Sequence, residues 1–310
     1  MTRGGTIVNL LFMVRFSLVV ALVLGWVLGS TGCKTRSKPP EPISEGVKLA
    51  DLAAPPKDRP PPPQFLVTAS IDVHIVELPA DNVDKLQTVW RILSAAPVRL
   101  SSYNAFSENS FRILFGKIEL WEKLQSLLAE ADAQPVTTVS LTVADNDKTD
   151  LPIAELPVAR RIVFVGNDLS QQIANVGPGI LALRLVAEPG PQTQRNAFGS
   201  PRNPWARGVR KIIGYPTYTL PVAGTIPEIE AQSRQREFYF DSAAFACQMG
   251  PGDLLVLGPE KYTGERATLG GLFFNKPDET LFFNPNRPKP PERKAAVRIY
   301  VLVCTQVNGQ

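Results

Sequence analysis

The sequence predicts an α+β protein in which a ferredoxin-like (split βαβ) module is followed by a mainly antiparallel β-rich module. Residues 64–145 alternate between strand-like and helix-like hydrophobic periods, whereas residues 150–310 lose the helical period. There, short apolar runs are separated by glycine and proline turns, which is typical of an all-β region. The chain is 44% hydrophobic, enough for a substantial core. About 245 residues follow the proline-rich segment, more than one typical domain, so we expect two modules.

The first module begins with the clearest strand in the chain. Between Phe65 and Ile75 every second residue is apolar, which is the period of a half-buried strand. A helix is expected next, capped by Asp81, because apolar residues recur at steps of three and four over 83–93. The order is completed by strands at 98–103 and 111–115, an amphipathic helix at 118–131 and a strand at 139–143. This β-α-β-β-α-β succession predicts the split βαβ arrangement.

The strands expected in the second module are rich in β-branched and aromatic residues. They are Arg161–Val165, Ile180–Ala187, Val209–Gly214, Glu237–Ala246, Asp253–Leu257, Ala267–Phe274 and Ala295–Cys304. Long loops at 189–207 and 275–294 separate them, and loops of this length are usually functional or disordered. A phenylalanine cluster is expected to lie in the core; its members are Phe273, Phe274, Phe282 and Phe283.

The first long loop is a candidate anionic contact. It contains Arg195, Arg202, Trp205 and Arg207, and no acidic residue follows Glu188 within it. One interpretation is a solvated flexible loop. The other is a contact with phospholipid or polysaccharide, for which a local positive patch with one aromatic side chain is suited.

The residues that commonly carry catalysis are sparse. His74 is the only histidine, which excludes a two-histidine metal site and leaves no second histidine for a proton relay. The acidic run at 145–150 resembles a calcium loop superficially, but it lacks the glycine at the sixth position and the distal glutamate. We therefore expect no enzyme activity, cofactor or metal. A hydrolase with a carboxylate pair, using acids such as Glu228 and Glu230, is the enzymatic alternative.

Cys247 and Cys304 remain once Cys33 is set aside. An oxidising compartment would permit a disulfide between them. The alternative is two buried thiols that behave as small hydrophobic groups. A catalytic role for either would need a positioned base, and the only histidine belongs to the other module.

The net charge of +4 is carried outside the predicted folded region. Arg3 and Arg15 lie near the N-terminus, and residues 33–63 have two more basic than acidic side chains, so residues 64–310 are formally neutral. Nucleic acid is therefore not an expected partner. Basic residues near a membrane anchor would instead favour anionic headgroups.

A short apolar stretch from Phe16 to Leu28 follows Arg3 and Arg15 and ends in small residues, which is the layout of a secretory leader. The sequence Val-Leu-Gly-Ser-Thr-Gly-Cys at 27–33 resembles the lipobox of bacterial lipoproteins. The resemblance implies cleavage after residue 32, acylation of Cys33 with chains such as palmitate, and attachment to an envelope membrane. Because Lys34 is not the aspartate associated with inner-membrane retention, it implies the outer membrane facing the periplasm, or the cell surface. An uncleaved anchor helix is the alternative.

Residues 33–63 form the expected tether. Proline recurs through this segment and ends in the run Pro60–Pro63, which predicts semi-rigid polyproline II geometry. Such a spacer would hold the folded region away from the membrane. A proline-rich ligand for another domain is the alternative.

Three segments resemble the closing strands of secretins, the outer-membrane ring channels. They are residues 249–258 (MGPGDLLVLG), 268–272 (TLGGL) and 298–303 (RIYVLV). The opening strand at 71–77 is similar to one found in such proteins. This resemblance implies a pore or secretion-system subunit that assembles into rings. Our main expectation is a lipid-anchored envelope protein of binding or scaffold type, with an envelope protein or a second copy as a candidate partner.

Overall fold

Antiparallel sheets dominate the described part of the chain. The computed structural model describes residues 67–189, 208–220, 237–283 and 290–308. All of these residues fall within the unit Pro63–Gln310. Helices are present but short, so the predicted α+β class with mainly antiparallel strands is confirmed.

The elements alternate irregularly along the chain. The strands are β1 (Thr68–Pro79), β2 (Arg99–Leu100), β3 (Phe111–Lys117), β4 (Gln134–Ala144), β5 (Lys148–Leu156), β6 (Arg160–Val165), β7 (Gln171–Val176), β8 (Gly179–Pro189), β9 (Arg210–Thr219), β10 (Phe238–Tyr239), β11 (Phe245–Met249), β12 (Asp253–Pro259), β13 (Thr280–Phe282), β14 (Glu292–Lys294) and β15 (Ala296–Asn308). The α-helices are α1 (Leu86–Ile92), α2 (Tyr103–Glu108), α3 (Trp121–Glu130) and α4 (Leu269–Phe274).

The first sheet has the strand order β3-β12-β15-β1-β4, and every pair in it is antiparallel. β1 pairs with β15 along its whole length, from Thr68 opposite Asn308 to Pro79 opposite Ala296. The first sheet therefore contains strands from both predicted modules. A ferredoxin-like sheet built from residues 64–145 alone is not confirmed, because β12 and β15 stand between β3 and β1.

The two predicted helices of this region are present and touch each other, as α1 and α3. In α1 the buried residues are Leu86, Val89 and Trp90, which follow the predicted spacing. The predicted cap is wrong. Asp81 lies in the first turn of a 3-10 helix at Ala80–Lys85 that precedes α1, and no side chain caps that turn.

The prediction of a strand at 98–103 is mostly wrong. Only Arg99–Leu100 is a strand, and it pairs with β11 in the second sheet. Ser102 then begins α2, because its hydroxyl oxygen accepts a hydrogen bond from the Ala105 backbone N–H at 3.3 Å. A serine at the N-cap supplies a partner for a backbone donor that the helix cannot satisfy internally.

The prediction of a strand over Ala267–Phe274 is also wrong, because residues 269–274 form α4. All six residues of the helix are buried, so the segment has no polar face that would display a helical period. The Thr268 hydroxyl accepts a hydrogen bond from the Gly271 N–H at 3.1 Å and caps the helix. Gly270 allows close packing, since a Cβ there would overlap the Asn109 carbonyl oxygen.

The second sheet has the order β2-β11-β9-β8-β5, with β10 pairing to β9. The strands predicted around 161–165, 180–187, 209–214, 253–257 and 295–304 are all found. The strand predicted over Glu237–Ala246 is instead divided into β10, a 3-10 helix at Asp241–Ala243 and β11. β6 and β7 form a separate two-stranded hairpin.

The core includes α4, which contacts β12 and β15 of the first sheet and β5 of the second. The rings of Phe111, Phe273, Phe274 and Tyr300 pack together there, with centroid separations between 4.8 and 6.3 Å. The predicted phenylalanine cluster is thus largely buried, although Phe283 is 58% exposed. In the described ranges, no helix has the length and apolarity needed to cross a bilayer.

Candidate functional site

Several residues singled out from the sequence lie outside the described ranges. Cys33 and the tether at 33–63 precede residue 67, so the expected lipidation stays a prediction. The candidate anionic contact also lies outside the described residues; its members are Arg195, Arg202, Trp205 and Arg207.

Cys247 and Cys304 are both described, and both are buried free thiols. Burial raises the pKa of Cys247 to about 12 and that of Cys304 to about 11. At neutral pH both side chains are therefore protonated thiols. A protonated thiol is a poor nucleophile, so their environment suits packing rather than catalysis.

The three aspartates of the acidic run at 145–150 have three different partners. Asp145 lies 3.1 Å from Arg210 Nε as an ion pair whose geometry is not that of a hydrogen bond. Asp147 accepts a hydrogen bond from the Lys148 backbone N–H at 2.8 Å. Asp150 binds Arg184. The carboxylates thus anchor separate parts of the turn and strand, and the described residues contain no cluster of metal-ligating side chains.

A cavity of about 400 Å³ lies between the β6–β7 hairpin and the segment 238–242. We call it the hairpin cavity. It is lined by Phe164, Gly166, Asn167, Asp168, Gln172, Phe238, Tyr239, Asp241 and Ser242. Its size falls in the range of about 300–1,000 Å³ that is typical of small-molecule sites.

One wall of the hairpin cavity is the turn between β6 and β7. Leu169 has a positive φ of 63°, and its N–H donates to the Gly166 carbonyl at 2.9 Å. The Asp168 carboxylate accepts hydrogen bonds from the Ser170 hydroxyl at 2.8 Å and from the Ser170 backbone N–H at 3.1 Å. These bonds lower the pKa of Asp168. The turn therefore presents an ionised carboxylate at neutral pH.

Buried Asn109 joins the two walls of the cavity. Its amide nitrogen donates to the Val165 carbonyl and its amide oxygen accepts from the Val165 N–H, both at 2.8 Å, which is the pattern that a neighbouring strand would make. The same amide nitrogen donates to the Ser242 hydroxyl at 3.3 Å and to the Ala105 carbonyl at 2.8 Å. Asn109 thereby connects α2, the end of β6 and the 3-10 helix that carries Asp241.

The floor of the cavity is aromatic. Phe164 packs edge-on against Phe238 at 5.7 Å and against Phe240 at 5.2 Å, measured between ring centroids. Phe238 and Phe240 are 4.9 Å apart in the same manner. Edge-to-face packing is the favoured geometry for such rings. Phe164 and Phe238 belong to the lining, and the fully buried Phe240 packs against both of them.

Tyr239 at the edge of the cavity is held by a buried charge network. Arg184 on β8, with a side chain only 4% exposed, donates two 2.6 Å hydrogen bonds to Asp150 and further bonds of 2.7 and 3.2 Å to Glu237. The Tyr239 hydroxyl donates to Glu237, which raises the pKa of Tyr239. The hydrogen bonds from Arg184 lower the pKa of Glu237. Tyr239 is thus oriented by a carboxylate that is itself fixed.

The described lining supplies aromatic faces and oxygen acceptors, and it contains no lysine or arginine. Asp168 and Asp241 are exposed carboxylates at the cavity, and Asn167 and Gln172 add amide groups. Ser242 is bound to Asn109, and the only histidine lies on β1 of the first sheet. The arrangement therefore suits binding rather than acyl transfer, which needs a nucleophile beside a base.

No protein-family model matches this chain, and no curated protein matches it significantly.

The residues of the hairpin cavity were not singled out from the sequence. A turn of the type Gly-Asn-Asp-Leu-Ser at 166–170 between two alternating runs would have indicated the hairpin. The aromatic run Phe238-Tyr239-Phe240 lies within the strand predicted over Glu237–Ala246, but its place in a cavity was not predicted. No local sequence pattern indicates that these two segments face each other. They are joined by Asn109, which lies in a third segment of the chain.

Proposed function

We propose that this protein is a lipid-anchored cell-envelope protein of non-enzymatic binding type, and that its hairpin cavity binds a small organic cation. The leader, Cys33 and the proline-rich tether support the anchored location as expectations from sequence. The cavity supports the binding role. The observation that carries the proposal is the convergence of Asp168, Asp241 and the rings of Phe164 and Phe238 on one cavity whose lining contains no lysine or arginine.

The chemistry favours a cation for two reasons. Ionised carboxylates only accept hydrogen bonds and attract positive charge. Aromatic faces carry negative charge density, and a cation over such a face gains about 0.5–2 kcal/mol. The rings of Phe164 and Phe238 contribute to the lining. The Tyr239 ring also lines the cavity, but Arg184 and Lys148 already lie over it, at 5.6 and 5.8 Å from its centroid. An ammonium group between the carboxylates and the rings would use both kinds of contact at once.

The experiment is isothermal titration calorimetry on the full-length protein in mild detergent. The probes are tetramethylammonium, spermidine and, as a neutral comparison, a methyl glycoside. We expect the cations to bind, and the double variant Asp168→Asn/Asp241→Asn to lose at least tenfold in affinity. The matched control is Asp81→Asn/Asp84→Asn, which removes two exposed carboxylates from the helical segment at 80–85. That control should leave binding unchanged.

Three results would overturn the cation proposal: equal losses in the two double variants, binding of the glycoside alone, or no binding of either cation. The protein mass from light scattering in the same detergent tests the alternative function. A ring-sized oligomer would favour the secretin-like subunit. A monomer or dimer would favour the tethered binding protein.

We infer, for the architecture, that the first sheet is an expanded ferredoxin-like arrangement. What supports this is the chain order β1, α1, β3, α3, β4 with the two helices in contact. β12 and β15 are inserted between β3 and β1. A fragment of residues 64–145 is expected to remain unfolded by circular dichroism because β1 would lose its partner β15. A folded fragment would instead support a self-contained module.

A further inference from the structure

β4 is the last strand at one side of the first sheet, so only one of its two edges is paired. Its inner edge pairs with β1 from Gln134 to Ala144. Among the described residues, no strand pairs with its outer edge. Towards the end of β4 the Thr149 hydroxyl donates to the Thr142 carbonyl at 3.3 Å, so the strand is engaged there. Residues 134–141 therefore have no strand partner on their outer side in the described part of the chain. We call them the free edge.

The other three terminal strands of the two larger sheets are protected against pairing with another strand. Proteins commonly protect sheet edges with charged side chains, with proline or by keeping the strand short. β2 has only two residues, and Ser94 forms a bridge to β3 at Phe115. The protecting side chains on the longer strands are Arg112 and Lys117 on β3, and Lys148, Asp150, Pro152 and Glu155 on β5.

β4 has little of this protection. Its sequence is QPVTTVSLTVA, which contains no charged residue and one proline at the second position. Six of its eleven residues are valine or threonine, whose branched side chains favour strands. Residues 135–138 are all exposed, and Val136 is 50% exposed. An exposed and uncharged edge of this kind is suited to the addition of another strand.

A second copy of the chain fits this edge because the edge is uncharged. Like charges directly opposite each other destabilise an antiparallel pair, and β4 offers none in any register. The midpoint of the free edge lies at Thr137 and Thr138, so a twofold axis there pairs the greatest length of it. A charged segment of another protein would find no ion-pair partner on β4. Five strands from each copy would form one continuous sheet, of a size that occurs in proteins.

Apolar side chains flank the two ends of the free edge. Phe283 is 58% exposed, and its carbonyl accepts a hydrogen bond from Gln134 Nε2 at 2.9 Å. At the other end, Leu141 is half-buried. In a twofold pair the end near Gln134 meets the end near Leu141 of the second copy. Association would therefore also remove apolar surface from water, which adds to the backbone hydrogen bonds.

We propose that β4 is a self-association edge, through which two copies of this chain pair antiparallel about a twofold axis beside Thr137 and Thr138. Each copy contributes the same edge, so the arrangement closes after two copies and gives a dimer. The lining of the hairpin cavity contains no residue of β4. Dimer formation and cation binding can therefore succeed or fail independently of each other.

The test is the protein mass of the full-length protein in mild detergent, measured by light scattering over a dilution series. We expect a dimer that dissociates on dilution. Thr137→Lys/Thr138→Lys places lysines from both copies at the axis and should raise the dimer dissociation constant at least tenfold. The control Gln171→Lys/Asn175→Lys adds the same charge at exposed positions of β7 and should leave the constant unchanged.

A variant of opposite charge separates self-pairing from a structural effect. Thr137→Glu/Thr138→Glu should also dissociate when it is alone. An equimolar mixture of the glutamate and lysine variants should recover the dimer, because opposite charges then meet across the axis. Monomeric wild type, a lysine variant that dimerises as tightly as wild type, a mixture that stays monomeric, or a control that dissociates would each overturn the proposal.

A measurement on the wild type keeps the test decisive if the charged variants do not fold. Amide hydrogen exchange over residues 134–141 should be slower at high protein concentration than at low concentration, because pairing protects the outward N–H groups. Exchange over residues 171–176 of β7 should not depend on concentration. Equal exchange over 134–141 at both concentrations would also overturn the proposal.

Discussion

Asp150 and Arg184 lie directly opposite each other on β5 and β8, and the guanidinium donates two parallel 2.6 Å hydrogen bonds to the carboxylate. Tyr215 continues the same row on β9. Glu237 binds the guanidinium from another segment, at 2.7 Å. A buried arginine with two carboxylate partners thus links the second sheet to the edge of the hairpin cavity.

Arg184→Met should destabilise the protein by about 3 kcal/mol, because it leaves two carboxylates close together without their cation. The measurement is urea unfolding followed by tryptophan fluorescence. Arg293→Met, which removes an exposed arginine on β14, is the control and should have little effect. Adding Asp150→Asn and Glu237→Gln to Arg184→Met should recover part of the loss. An unchanged urea midpoint for Arg184→Met would show that the network does not stabilise the fold.

Asn109→Ala should loosen the hairpin cavity, because Val165 and Ser242 lose their common partner. A buried polar group left without its hydrogen bond costs about 1–3 kcal/mol. We expect faster amide hydrogen exchange over residues 160–176, measured by mass spectrometry. The control is Asn175→Ala, an exposed asparagine on β7 of the same hairpin. If both variants exchange like wild type, Asn109 does not hold the two walls together.

Acid should weaken the fold through Glu77 and Glu237, whose pKa values are lowered below the ordinary value of 4.5 by their cationic partners. When the folded-state pKa is the lower one, the unfolded chain takes up protons first as pH falls. The stabilisation is therefore full above the unfolded-state pKa near 4.5 and is lost in the acidic range below it, as pH falls through the lowered folded-state values. Urea midpoints measured across this range should fall.

Glu77→Gln provides the comparison for that pH dependence. At neutral pH the variant should be less stable than wild type, because Lys276 and Arg298 lose their shared carboxylate. On acidification it should lose less additional stability, because the group that titrates has gone. Parallel pH curves for variant and wild type would assign the acid sensitivity to other carboxylates.

The two internal cysteines should resist alkylation in the folded protein. Burial raises the pKa values of both Cys247 and Cys304, so little thiolate is present at neutral pH. In a Cys33→Ser background we expect no maleimide labelling before unfolding and two labels per chain in urea. Labelling in urea only after reduction would instead reveal a disulfide between Cys247 and Cys304, the other alternative that the sequence leaves open.

Cys33→Ser should release the protein from membranes if the lipobox directs acylation. Each buried methylene contributes about 0.8 kcal/mol, so losing the acyl chains removes the whole anchor. The measurements are membrane flotation and incorporation of labelled palmitate. Ser37→Ala, which leaves the cysteine in place, is the control. Persistent flotation of Cys33→Ser would contradict the simple tether and favour an uncleaved anchor helix.

The local sequence pattern was sufficient to predict an element that has one buried and one exposed face. β1 alternates with a period of two, and α1 and α3 follow three- and four-residue steps, so their existence and approximate bounds could be predicted from the residues alone. Local pattern failed for α4, because a fully buried helix and a buried strand show the same continuous apolar run. Ser102 and Thr268, which cap α2 and α4, are the local signals that indicate helices there.

The sequence by itself determined the α+β class, the principal strands and the scarcity of catalytic residue types. Only the tertiary structure decided that β12 and β15 stand between β3 and β1, and that Glu77 meets Lys276 about 200 residues further along the chain. The hairpin cavity likewise depends on Asn109, Val165 and Ser242, which come from separate segments. Strand pairing and side-chain convergence arise from contacts between residues distant in sequence, and hydrophobic periodicity reports only the face that a segment buries, not its partner.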